Sequence, residues 1–378
     1  LNVAFFTATT LLALPAPFYI GMHGLSVPIW ILSIFYTLAT GLSVTVGYHR
    51  LFAHVTYKAH PAVRFLLLFF GAAAFEQSAL KWSSQHRDHH QYLDTERDPY
   101  SVTRGFWHAH MGWLIFWKHH VTYDNVKDLQ KNALIMHQHR HFLLWAIASG
   151  IALPLVVGAW AGDVCGALLV SVALRITLVY HATFCINSIC HWMGRPNYDA
   201  GTSARDHWFV AFLTFGEGYH SFHHRFPGDY RNGIRWYHWD PSKWLIGALS
   251  FFKLAYDLKE VSRFRILHAR LRVKNQIATE VLLKSIEQQP LAAQLMEALR
   301  SKYLRLEARL QAFEKSHGEY QDVVNAMKKT VSRKRQEIKG LKEAAFEKMA
   351  FRRARFKSCQ KQWAAFVRAG LRLAPSAS

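Results

Sequence analysis

Four stretches of this chain are apolar for long enough to cross a bilayer, which takes ~20 such residues in a helix. They cover residues 3–20, 27–47, 142–161 and 164–190, and the last carries Arg175 and His181 among its apolar neighbours. The first has no basic leader and no small-residue cleavage site, so it reads as a span rather than a signal peptide. A fifth apolar run, Phe65 to Phe75, is about half the required length and reads as a re-entrant or interfacial segment. From 192 to 258 aromatic and turn residues alternate, and Asp206 to Phe215 predicts an interfacial helix delivering the segment at His220. Near residue 260 the pattern changes to helical spacing in an Ala-, Glu-, Lys- and Arg-rich tract. Leu299, Tyr303, Leu306, Leu310 and Phe313 form one seam, and Met327, Val331, Ile338, Leu341 and Phe346 a rougher one. Ser316, His317 and Gly318 between them predict a helix–helix turn, hence an antiparallel hairpin or coiled coil. The expectation is an all-α integral membrane protein of four transmembrane helices with a helical cap. It comprises a membrane domain over 1–258 and a basic helical extension over 259–378.

Charge orients this picture. Lys and Arg number 46 against 25 Asp and Glu, a net +21. The connections near 21–26 and 158–166 hold no Lys or Arg, whereas 48–141 and everything past 191 are rich in both. The positive-inside rule then gives two hairpins with both termini and the cap on the cytoplasmic side, the inner membrane if the cell is bacterial. The basic run from Lys328 to Arg335, with Arg352, Arg353 and Arg355, reads as a solvated face or as one attracted to anionic headgroups. A tail tethered to a membrane protein is not expected to bind nucleic acid; packing or oligomer contact through the hairpin is its expected role, with partner docking the alternative. The four cysteines contain no CxxC pair, and three lie in or beside apolar runs, where they read as small hydrophobes.

The candidate chemistry lies in histidine. Of 23 histidines, eight fall into three compact clusters just past apolar stretches. These are His49 with His54, then His86, His89 and His90, then His220, His223 and His224, and His191 follows Asn187 by four residues. On a helix, i, i+3 and i+4 share a face, so each HxxHH cluster points its imidazoles together. Neutral imidazole binds iron, copper, zinc or nickel, and a set without thiolate points away from a structural zinc site. A single imidazole beside a membrane segment is ordinarily a hydrogen-bonded interface residue. His60, His108, His110, His181, His207 and His238 are read so, as are His137, His139 and His141.

The boxes and their flanks resemble the membrane fatty-acid desaturases, in particular the acyl-CoA (stearoyl-CoA) Δ9 branch. The carrying motifs are Gly47-Tyr48-His49-Arg50-Leu51-Phe52-Ala53-His54, Trp82 four before His86, Asp98-Pro99, Gly112-Trp113-Leu114, Asn187-Ser188 with His191, and the segment from Gly216 to Pro227. The resemblance covers residues ~1–255, and the tail lies outside it.

The resemblance implies a di-iron centre held by His49, His54, His86, His89, His90, His191, His220, His223 and His224, with Asn187 holding a water. The division of the nine between two irons stays open. No catalytic group beyond the ligands is expected. The reaction implied is O2-dependent insertion of a cis double bond, Δ9, into a saturated acyl-CoA; an acyl-lipid desaturase or a membrane hydroxylase are the alternatives. Many imidazoles without Glu-x-x-His pairs separate this chain from ferritin-like carboxylate proteins. Asp88, Asp94, Asp98 and Glu217 are candidates to orient the imidazoles through their other ring nitrogen. Trp82, Thr183 and Phe184 fall where the family lines its acyl tunnel, Phe184 standing where the mammalian branch has Trp. Arg104 and Lys118 fall in the loop that meets the CoA phosphates, although Ser84 stands where the mammalian enzymes carry Arg. No dinucleotide fingerprint, haem motif or four-cysteine cluster is present, so a separate donor, a ferredoxin or rubredoxin with its reductase, is implied. A haem electron carrier would need histidine pairs within the spans, and a metal transporter more ionisable residues there.

Overall fold

The computed structural model describes residues 2–116, 121–286, 292–329 and 335–372. The chain forms two compact units, Leu1–Val261 and Ser262–Ser378.

Among the described residues of the first unit, four helical segments are long and apolar enough to span a membrane: Asn2–His23, Val27–Ala53, Phe142–Trp160 and Val164–Trp192. The second and fourth are buried over 56% of their most apolar windows, against 17% and 28% for the first and third. The inner pair therefore carries the interior and the outer pair faces away from it. Polar contacts join them: Ser33 Oγ lies 2.7 Å from Ser171 Oγ, and Thr10 Oγ1 lies 3.0 Å from the Tyr180 hydroxyl. Where the two hairpins turn, the Tyr19 hydroxyl donates to Asp163 Oδ1 at 2.6 Å. The first span breaks after Ala13, where Pro15 cannot donate a helical hydrogen bond.

Beyond the second span the chain turns back through the helix Pro61–Ala72, which lies against the segment Ser43–Ala53. This close approach needs glycine on both sides. A Cβ on Gly47 would sit 2.9 Å from Leu67 Cβ, and one on Gly71 would sit 2.5 Å from the Tyr48 ring. Ala79–Tyr92, capped by the Ser78 hydroxyl, and His220–Arg225 complete the cap around this support. The expected interfacial helix is shorter than its apolar pattern, Trp208–Leu213, and the His220 cluster lies on a separate helix. Asp206 is held out of helix by bridges to Arg195 and Tyr219. A pair of strands, Lys58–Ala59 with Ala255–Tyr256, ties the two ends of the cap antiparallel. Residues 259–261 go with this unit because Lys259 N–H donates to Thr56 and Val261 N–H to Asp229. The four cysteines are free; Cys190 is buried and Cys165 exposed.

Among its described residues the second unit holds three helices, Arg263–Ile286, Ala292–Lys329 and Arg335–Arg372. The last two run antiparallel, as Tyr303 meets Trp363, Phe313 meets Phe356, and Glu319 accepts from Lys348. Leu299, Leu306 and Leu310 are buried in this unit's core as the first seam predicts. Two expectations fail. Ser316 to Gly318 lie inside a continuous helix, where Ser316 is buried and its hydroxyl bonds Ala312 O at 2.9 Å. One helix-interior glycine costs only ~1 kcal/mol, less than a 38-residue packed helix recovers. The second seam is absent too: Leu341 and Phe346 are exposed, and Phe356 and Trp363 turn inward. Positions five apart advance by ~140° and cannot hold one helix face. Val331 and the Ile338 side chain lie outside the described residues, as does most of the basic run at 328–335.

Candidate metal centre

Nine imidazoles that are scattered over 176 positions of sequence meet in two groups. His49, His54, His86, His90 and His223 form one; His89, His191, His220 and His224 form the other, and within each group the ligand atoms all lie within 4.8 Å of one another. The local backbone explains the division. His86, His89 and His90 share the helix Ala79–Tyr92. Positions i+4 and i+3 lie ~40° to one side and ~60° to the other of position i. His90 therefore joins His86, and His89 turns to the other group. The helix His220–Arg225 repeats this, with His224 joining His220 and His223 turning away. His49 and His54 are five apart, a spacing that an α-helix splays. Ser43–Ala53 is π-helical, and the His54 N–H bonds the His49 carbonyl at 3.0 Å, closing each turn one residue later and bringing the pair onto one face.

The ring nitrogens converge tip to tip. Nε2 atoms of His49 and His223, His54 and His86, and His90 and His223 lie 2.9, 2.8 and 2.9 Å apart. In the second group His191 and His224 each bring Nε2 to His220 Nε2, at 2.9 and 3.0 Å. A neutral imidazole nitrogen either donates or accepts, so His223 Nε2 between His49 and His90, and His220 Nε2 between His191 and His224, can each donate to only one of the two nitrogens they meet. His89 Nε2 is buried without any hydrogen-bond partner. The donor set fits metal ions.

The outward nitrogens are held. Glu217 Oε2 lies 2.7 Å from His49 Nδ1, and Asp98 Oδ1 lies 2.8 Å from His89 Nδ1. The Tyr100 hydroxyl approaches His86 Nδ1 at 3.3 Å, and Ser203 Oγ approaches His191 Nδ1 at 2.7 Å. Asp94 stands one step further out, accepting from the Ser203 N–H, and Asp88 accepts from Asn125. Glu217 itself is fixed by Arg50, whose guanidinium also pairs with Asp240 at 2.9 Å, all three being buried. Burial alone would push the Glu217 carboxyl up, but His49 and Arg50 hold it down to about 2. Burial likewise pushes His220 down to about 3, His89 and His49 adding to it. His54, His86, His90, His223 and His224 are also held well below the usual imidazole range, chiefly by burial. These six imidazoles are thus kept neutral, the form that binds metal.

A cavity of about 480 Å³ adjoins this site, with His49, His86, His89 and His220 among its lining residues. Trp82, Thr183, Phe184 and Asn187 line it as well. Trp82 stacks on His86 with ring centroids 4.8 Å apart. The sequence reading missed Glu76, whose carboxyl faces the same space and accepts from the Thr183 hydroxyl at 2.7 Å. Burial pushes it up to about 7. A lone carboxylate at the end of the apolar run 65–75 was its signal. Ser203 and Tyr100 had no such signal, since each reaches an imidazole from a loop. Arg104 does not line the cavity; its guanidinium bonds Glu96. Lys118 lies outside the described residues. Of the histidines read as ordinary, His60 caps the helix Pro61–Ala72, and His110 and His181 pair with each other at 3.1 Å.

Comparison with known proteins covers the part of the chain that holds these histidines. The fatty acid desaturase family matches residues 7–256. The chain is 41% identical over 256 residues to acyl-CoA desaturase 1 of Saccharomyces cerevisiae, covering 67% of this chain and 50% of that protein. It is 45% identical over 231 residues to a probable acyl-CoA desaturase of Schizosaccharomyces pombe, covering 60% and 48%. Stearoyl-CoA desaturase 4 of Mus musculus is 36% identical over 251 residues, covering 64% and 70%. The chain thus spans about half the length of the two fungal relatives.

Proposed function

We propose, from the premise that the chain belongs to the fatty acid desaturase family, that this integral membrane protein is an O2-dependent acyl-CoA desaturase placing a cis double bond at Δ9. One observation carries the reading: two convergent imidazole groups open on a single, largely apolar cavity. The five-imidazole group would hold one iron and the four-imidazole group a second, with Asn187 contributing through a water. When bound, the two irons supply the O2 activation that cleaving an unactivated C–H bond requires.

The chain's own residues do the rest. A carboxylate can only accept, so Glu217 and Asp98 keep the proton of His49 and His89 on Nδ1 and leave Nε2 lone pairs facing inward. Trp82, Thr183 and Phe184 wall the cavity, confine an acyl chain and exclude water from the reacting methylenes. Converting –CH2–CH2– to –CH=CH– with reduction of O2 to two waters consumes two further electrons and two protons. An external donor, a ferredoxin or rubredoxin type with its reductase, supplies the electrons, and an acidic one suits the basic cytoplasmic face. The Arg104–Glu96 pairing supports a second reading in which the acyl chain arrives esterified in membrane lipid, because that guanidinium is already engaged.

The test is expression in a host without desaturases, with donor and reductase supplied. Gas chromatography–mass spectrometry should find a Δ9 monoene that a His89→Ala variant does not make. A hydroxylated product instead would replace the desaturase with the hydroxylase.

A further inference from the structure

Arg175 is a buried cation in the fourth span, 2% exposed, with no carboxylate against it among the described residues. An ionisable group at such a position is expensive and calls for a function. Its guanidinium bonds three carbonyls: Ser171 of its own helix at 3.1 Å, Gly150 of the third span at 2.7 Å, and Ala73. Ala73 is the residue just past the helix Pro61–Ala72, where carbonyls lack helical partners and a cation is favoured.

The backbone beyond Ala73 is strained. Phe75 and Gln77 both adopt left-handed conformations, with φ of 59° and 75°, and neither is a residue that favours them. The turn they form puts Phe75, Glu76 and Gln77 on the cavity wall. Gly150 lets the third span press on it, since a Cβ there would sit 2.7 Å from the Phe75 ring and 3.1 Å from Ala73 Cα. The fourth span grips the turn a second time through Thr183, which bonds Glu76 at 2.7 Å.

Arg175, Thr183 and His191 stand at eight-residue intervals on one helix, Arg175–Trp192, ~12 Å apart along its axis. We propose that this helix is a ruler: Arg175, with Gly150, clamps the turn 73–77 at a fixed height from the imidazoles and so sets which methylene of the acyl chain is attacked. Arg175 is then a positioning residue for regiochemistry, acting through Phe75 and Glu76. The inference rests on the desaturase reading.

The experiment compares wild type, Arg175→Lys and Gly150→Ala in the desaturase-free host, with purified protein taken for iron analysis and for hydrogen–deuterium exchange. Lysine reaches one carbonyl where arginine spans three; the alanine methyl pushes the turn from the opposite side. In both variants the ratio of the main positional isomer to all others should fall about tenfold, since displacements of ~1 Å matter at this level. Iron per chain should stay at the wild-type value, and amides of 73–78 should exchange about tenfold faster in Arg175→Lys. An unchanged isomer ratio in both variants overturns the ruler, even if yield falls. So does loss of iron in Arg175→Lys with Gly150→Ala behaving as wild type, which would make the arginine a general support of the fold. If wild type makes no monoene, the desaturase reading fails instead, and unaltered exchange at 73–78 would then overturn the clamp on its own.

Discussion

The two imidazole groups are built alike and finished differently. Five rings form the first, and its outward nitrogens meet Glu217 and Tyr100; four rings form the second, whose outward nitrogens meet Asp98 and Ser203. Both groups reach the cavity, the first through His49 and His86 and the second through His89 and His220, so they differ in ring number and in what holds their outward nitrogens. A pair of metals with unequal surroundings is suited to unequal tasks, and the difference can be probed one group at a time.

The largest effect should come from the ligands. His90→Ala and His224→Ala should each abolish desaturation, and metal analysis should find one iron per chain rather than two, lost from opposite groups. Two irons retained in both variants would break the division into groups. Next come the carboxylates: Glu217→Gln and Asp98→Asn should each cost ~10–100-fold in iron affinity or turnover, and the Glu217 change should affect the five-ring group alone in a spectroscopic comparison. Asn187→Ala should be milder, retaining both irons while altering only the signature of the four-ring group.

Acid should act on both groups together. Because the folded state disfavours protonation of the buried imidazoles while the unfolded chain takes protons near pH ~6.5, the metal-free protein should be most stable above that pH. Its stability should fall as pH drops from there towards about 3, where His220 protonates in the folded chain. Thermal denaturation of chelated protein across that range checks the sign. The smallest effect on the site is expected from ending the chain at Val261, which should leave iron content at the full-length value; loss of iron would show that the second unit supports the first.

How far this was legible in sequence depended on the kind of information needed. The spans come from apolar length, and their observed limits lie close to the pattern because nothing else can satisfy that many apolar side chains. The HxxHH clusters announced a shared helix face, but not that a face wide enough for i+3 and i+4 divides between two centres. The five-residue spacing of His49 and His54 made sense only with a π-helical backbone, which no local propensity reports. The tail misled for the opposite reason. Ser316, His317 and Gly318 look like a turn locally, yet a long packed helix overrides three weak helix formers, and the apparent seam through Leu341 and Phe346 had the wrong period. Arg175 was visible as an oddity in an apolar run; its three carbonyls come from segments that only the fold brings together.

Each imidazole group mixes early and late parts of the chain: His49 and His54 meet His223, and His89 meets His191, His220 and His224. During synthesis, therefore, no nascent fragment ending before His223 contains either group whole. The last cap helix, His220–Arg225, must be made and folded against the earlier segments before either full set of nitrogens exists, so a metal bound by a whole group would be bound late. A chain stalled at any earlier point would carry neither complete set of imidazoles.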